Sequence, residues 1–151
     1  MISGYDYEFL QKHSYAKRIL EIGTGKSTEA LKTGGAEIYT IDRTLRLVDG
    51  VNQYVMESEE FWKACDATGF DLYFIDANIG TGDVEEIFNR ASNKFKVIFH
   101  DYTQYKNFMH INHDKGVHNY NLVLRYVYDK CHTEDLQTGG THCALLECEK
   151  L

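Results

Sequence analysis

The chain has 151 residues, 43% of them hydrophobic and 26% charged, with a formal net charge of −7 at pH 7. That size suits one domain burying roughly 70% of its unfolded surface, and the composition excludes a disordered segment. The acidic balance, with no basic run longer than Lys17-Arg18, excludes a broad phosphate-tracking surface, and the lack of a ~20-residue apolar stretch excludes a helical membrane span.

In chain order, residues 7–15 read as a short opening helix. Residues 18–22 are a β-rich run stopped by Gly23, and residues 27–32 restart as a helix ended by Gly34-Gly35. Residues 37–42 form a second strand, 52–56 a weaker third, and 59–67 a helix. Residues 71–76 are a strong fourth strand, 83–92 a helix, 95–101 a fifth strand and 120–130 a long helix. A polar piece at 135–137 and the turn Thr138-Gly139-Gly140 then lead into the apolar run 143–148, which is a hairpin signal.

Alternating strands and helices imply a parallel sheet with right-handed crossovers. Strands that are nearly continuous apolar runs fit burial on both faces. The expected architecture is one doubly wound α/β domain over residues 1–151: a mostly parallel seven-stranded sheet ending in an antiparallel hairpin. Cys65, Cys131, Cys143 and Cys148 form no CxxC pair and read as free thiols in a reducing compartment. The first residues lack the basic and apolar regions of a signal peptide, so a cytoplasmic location is expected.

Ligands of open α/β sheets sit beyond the carboxyl ends of the strands. Polar residues stand at each of those ends: Gly23-Thr24-Gly25, Asp42-Arg43, Glu57-Ser58, Asp76-Ala77-Asn78 and His100-Asp101-Tyr102. The first turn, Glu21-Ile22-Gly23-Thr24-Gly25-Lys26-Ser27-Thr28, can be tested against three cofactors. A triphosphate loop needs its first glycine where Leu20 stands, inside the strand. A dinucleotide turn matches at Gly23 and Gly25 but has Thr28 in place of the third glycine, leaving an NAD-dependent oxidoreductase as the lesser reading.

Glu21-x-Gly23-x-Gly25 with Ser27-Thr28, followed by Asp42, resembles the first two motifs of class I S-adenosylmethionine-dependent methyltransferases. The glycines let the backbone approach the cofactor, and Asp42 can accept both ribose hydroxyls. The resemblance covers almost the whole chain. With Phe74-Ile75-Asp76 and Phe99-His100-Asp101-Tyr102, it looks most like the small-molecule O-methyltransferases of the catechol and macrolide-sugar types. It implies a cofactor site of Glu21, Gly23, Thr24, Gly25, Lys26, Ser27, Asp42, Arg43, Glu57 and Asp76. It also implies a magnesium-type cation between Asp76 and Asp101. The chain departs from that group at Tyr102, where catechol-type enzymes place Asn, and at His100, where sugar-type enzymes often have a second Asp. The acceptor side is short, so the pocket is either open or completed by another subunit.

His100, at a buried strand's ligand end, reads either as a base near pH 7 or as a packed, hydrogen-bonded histidine. The following segment, 102–118, reads as a lid in which Tyr105, Phe108 and Met109 exclude water. Its His110 and His113, with His118 or Asp114, are the weaker zinc reading. The expected function is methyl transfer to an oxygen or nitrogen of a small molecule, with His100, Asp101 and Asp76 in the chemistry and no nucleic-acid or membrane partner. The alternative is a methyltransferase-like binding module without chemistry.

Overall fold

β1 (Arg18–Ile22) sits near the middle of the sheet because its alternating side chains are apolar toward both faces. Ile19 joins a cluster with Leu10 of α1 (Gly4–His13) and Ala30 and Leu31 of α2 (Lys26–Leu31). Leu20 and Ile22 face the other way. They join Phe61 of α3 (Ser58–Ala64), Val84 and Ile87 of α4 (Thr81–Arg90), and Val123 and Val127 of α5 (Lys115–Val127). A strand's period of two thus feeds two hydrophobic layers, and each buried Leu or Ile contributes roughly 1.5–3 kcal/mol.

The remaining strands are β2 (Glu37–Asp42), β3 (Asn52–Val55), β4 (Phe70–Ile75), β5 (Ala91–Phe99), β6 (Cys131–Gln137) and β7 (Ala144–Lys150). The computed structural model describes residues 2–102, 115–137 and 141–151. The strand order is β3-β2-β1-β4-β5-β7-β6, with β1 to β5 parallel and β7 antiparallel to both β5 and β6. This is the expected doubly wound, mostly parallel seven-stranded sheet. No described helix is long and apolar enough to cross a membrane.

Element bounds differ from expectation where side chains outside the apolar pattern decide them. α1 starts at Gly4 because Ser3 and Asp6 form a reciprocal capping box, Ser3 Oγ accepting from Asp6 N at 3.2 Å and Asp6 Oδ2 from Ser3 N at 3.1 Å. The chain passes directly from α4 into β5, so residues 91–94 are strand, with a register shift between Phe70 and Leu72 opposite them. β6 covers residues 131–137 because, as an edge strand, it exposes His132, Thr133 and Glu134 to solvent and carries no apolar alternation there. α5 begins at Lys115 rather than residue 120.

Candidate active site

Backbone register brings the strand ends level. Ile22 lies opposite both Ile41 and Ile75, Ile75 opposite Phe99, and Asp42 opposite Val55. Gly23, Asp42, Asp76 and His100 therefore emerge in one row. Strand order reverses between β1 and β4, and the crevice that such a reversal opens lies between Gly23 and Asp76. Gly23 has φ 109°, and a Cβ there would lie 3.3 Å from the Asp76 carbonyl oxygen and 3.4 Å from its Cβ.

The glycine turn is braced from two sides. Asp42 Oδ2 accepts from Thr24 N and its Oδ1 from Thr44 N, both at 2.9 Å, leaving further lone pairs open on each oxygen. Gly25 N donates to Thr28 Oγ1 at 3.0 Å. Beneath the turn lies Glu21, fully buried, accepting from Ser27 Oγ and Thr28 Oγ1 at 2.5 Å and from Thr40 Oγ1 at 2.9 Å. Burial pushes its carboxyl up to about 7, with the three hydroxyls pulling down against it and the charge of Asp76 adding to the rise.

Two expected cofactor residues therefore act from below. Glu21 and Ser27 spend their polar atoms on each other and shape the turn. The Thr24 hydroxyl is likewise turned inward, 2.7 Å from Thr40 Oγ1, so only the backbone of Thr24 faces the crevice. Lys26 is exposed, its ammonium 6.0 Å from the Tyr7 ring of α1. Arg43 and Glu57 form an exposed ion pair of 3.4 Å beyond β2 and β3. Beside them, a groove of about 790 Å³ runs between α3 and α4, lined by Glu57, Trp62, Asn78 and Asp83. Asp83 Oδ1 fixes one wall, accepting from Ser58 Oγ at 2.7 Å and Trp62 Nε1 at 2.8 Å.

The second half of the site gathers Asp76, His100 and Asp101, as expected, and adds Asp6 and Lys115. His100 Nδ1 lies 3.0 Å from Asp76 Oδ1 and 3.4 Å from Asp101 Oδ1, while Nε2 lies 3.2 Å from Asp6 Oδ2. Burial alone would lower the histidine's pKa. The hydrogen bond and charge of Asp76, the charge of Asp101 and the bond to Asp6 outweigh it and raise the value. Asp6 is buried too, and burial favours its neutral form. The backbone N–H groups of His142 and Ser3 and the His100 ring nonetheless hold it below the usual carboxylate range.

Lys115 Nζ lies 2.7 Å from Asp76 Oδ1 and 3.1 Å from Asp101 Oδ2. Burial works against both charges, yet His100 and Lys115 keep Asp76 ionised below its ordinary value, and the two acids raise the lysine. Gly116 permits this approach: its N–H donates to Asp101 O at 3.2 Å, and a Cβ on it would meet the His100 carbonyl oxygen at 2.3 Å. One turn on, Asn119 pins the loop after β4, donating to Ala77 O at 2.8 Å and accepting from Ile79 N at 3.2 Å. Asp101 has φ 56°, which aims its carboxylate back into the cluster.

Ligand atoms of Asp76, His100 and Asp101 lie within 4.8 Å of one another, a spacing a metal could use. The donor set does not fit one, because an ammonium already bridges both carboxylates. His100 already meets a carboxylate at each ring nitrogen, so a metal would have to displace one of them. As the expected base it is buried, between the carboxylates of Asp76 and Asp6. Tyr102 is tied down as well, its N–H donating to His142 O at 2.9 Å and its ring 5.4 Å from that of Tyr120. The lid residues Tyr105, Phe108 and Met109, and the zinc set His110, His113 and Asp114, lie outside the described residues. His118 is exposed on α5.

Sequence reasoning missed Asp6, Lys115, Gly116 and Asn119. Ser3-x-x-Asp6 signalled a helix cap but not the second use of Asp6.

No family profile and no curated protein sequence matches the chain. Solved structures do. A Podospora anserina methyltransferase bound to S-adenosylhomocysteine is 19% identical, with a TM-score of 0.75 over 100% of this chain and 80% of that one. The fold is that of the class I methyltransferases. A methyltransferase of Geobacter sulfurreducens is 13% identical, with a TM-score of 0.71 over 100% of this chain and 81% of that one. The tRNA (m1A58) methyltransferase of Aquifex aeolicus is 15% identical, with a TM-score of 0.64 over 100% and 70%. The seven-stranded sheet, with β7 antiparallel between β5 and β6, matches the methyltransferase fold.

Proposed function

We propose that the protein transfers the methyl group of S-adenosylmethionine to an oxygen or nitrogen of a small molecule. The observation that carries this reading is the glycine turn opening between Asp42 and Asp76 at the switch point. The backbone of Gly23, Thr24 and Gly25 would hold the cofactor's amino-acid part, and the open lone pairs of Asp42 its ribose hydroxyls. The groove walled by Trp62 and Asn78 would take the base. Bound there, the cofactor supplies an electrophilic methyl group. What remains for the chain is to position an acceptor and remove its proton.

Asp101, with its side chain 24% exposed, would take that proton. His100 instead anchors Asp76 and Asp101 from behind. A net charge of −7 favours a small acceptor over the polynucleotide that the Aquifex aeolicus protein's name records. Incubation with labelled cofactor and a small-molecule extract tests the reading. Label transfer requires an enzyme, and binding without transfer would leave a non-catalytic module.

Two variants test the cofactor site itself. Asp42→Ala is expected to weaken S-adenosylhomocysteine binding by ~1.5–3 kcal/mol, the scale of a hydrogen bond to a charged group. Unchanged affinity in calorimetric titration would remove Asp42 from the site. Gly23→Val should abolish that binding while far-UV circular dichroism stays native, because a β-branched residue is strained at φ 109° and its side chain enters the crevice. Heat with NAD or ATP and none with either adenosyl compound would overturn the proposal.

A further inference from the structure

Asp76 and Asp101 end adjacent parallel strands, and two carboxylates so placed repel each other unless a cation stands between them. Lys115 supplies it. Its Nζ lies 2.7 Å from Asp76 Oδ1, 3.0 Å from the Asp76 carbonyl oxygen and 3.1 Å from Asp101 Oδ2. An ammonium has three protons, and these three oxygens engage all of them. The placement is built into the fold. Gly116 lets the first turn of α5 press against the 100–102 backbone, and Asn119, one turn further along the same helix face, locks that turn onto the loop after β4.

We propose that Lys115 is an internal counter-ion that excludes a divalent metal from this site, making the transfer metal-free. On the function proposed above, the acceptor then enters as a hydrogen-bond donor, a hydroxyl or an amine, to the carboxylate oxygens that Lys115 leaves open. It does not enter as a pair of oxygens chelating a metal. A saturated ammonium has no vacant position to offer a second oxygen, whereas a hard cation normally keeps several. Lys115 is a positioning residue in this scheme: it fixes where the two acids point and which ligands they take.

Removing the lysine should convert the site. In Lys115→Ala the two acids face each other without a counter-ion, and a hard cation with oxygen ligands becomes their best partner. Manganese binding, followed by electron paramagnetic resonance at neutral pH, reads this directly. The intact protein is expected to show no site tighter than several millimolar. Lys115→Ala should bind at least tenfold more tightly, with a dissociation constant on the order of 0.1–1 mM as in the weakest oxygen-ligand sites. Adding Asp101→Asn to that variant should abolish the gain. Sub-millimolar manganese binding by the intact protein would overturn the inference, and so would a folded Lys115→Ala variant that gains none. If the alanine variant lacks a cooperative melt, Lys115→Gln keeps the volume without the charge, and the same titration decides. Calorimetry with S-adenosylhomocysteine on the same wild-type sample separates the two claims. Normal cofactor binding with no metal conversion sinks the counter-ion alone, whereas no cofactor binding sinks the function and leaves the metal result readable.

Discussion

Gly116→Ala is expected to lower the stability of the domain by about 3 kcal/mol or more, at or beyond the upper end of ordinary overpacking. The added methyl would sit 2.3 Å from the His100 carbonyl oxygen, 2.6 Å from Tyr102 N and 2.7 Å from the Asp101 carbonyl carbon. All three are backbone atoms, so no side chain can swing away to relieve the contact. Either α5 or the turn after β5 must move, and both carry site residues. Lys115 immediately precedes the glycine, and His100 and Asp101 lie in the turn it presses on. In thermal denaturation, a loss of that size lowers the melting temperature by roughly 6–12 °C for a domain of this length. A variant within about 1 kcal/mol of wild type would mean that the helix start yields cheaply, and that the close approach does not fix Lys115.

Glu21 should make the wild-type fold less stable as pH rises through neutrality. Its folded carboxyl titrates near about 7 against an ordinary value of 4.5, mainly because it is buried. Between those values the folded protein keeps a proton that the unfolded chain releases, so stability is fullest below 4.5 and falls as pH rises through about 7. The shift corresponds to about 3 kcal/mol across that window. Glu21→Gln has nothing to titrate there. Its unfolding free energy from urea titrations between pH 5 and pH 8 should fall by roughly 2–3 kcal/mol less than that of wild type. Parallel profiles would show that Glu21 is ionised throughout the window in the folded state.

The strands were legible where apolar runs end in an acid or a glycine, as at Ile22-Gly23, Ile41-Asp42 and Ile75-Asp76, because burial on both faces leaves a long hydrophobic signal. β6 was harder, since an edge strand exposing His132 and Glu134 has no such signal over its first residues. The half of the site made by the glycine turn was readable because its parts are neighbours in sequence. The other half depends on contacts that no local pattern carries. Asp6 reaches His100 across 94 residues, and Lys115 reaches Asp76 across 39. His100 illustrates the limit most clearly: its place at a strand end made a base readable, but the acids on both ring nitrogens come from β4 and α1. Glu21 was legible as part of the motif, but not the direction in which its carboxylate points.

The reach of Asp6 also joins distant parts of the sequence. Its carboxylate accepts from His142 N, 136 residues away, at 2.8 Å, as well as meeting His100. α1 is therefore fastened by the segment that leads into β7. A chain truncated before His142 would keep the residues of the glycine turn, yet it would hold neither the anchor for Asp6 nor the β7 pairing along β5. The acid cluster is thus held in place by two segments that lie 136 residues apart.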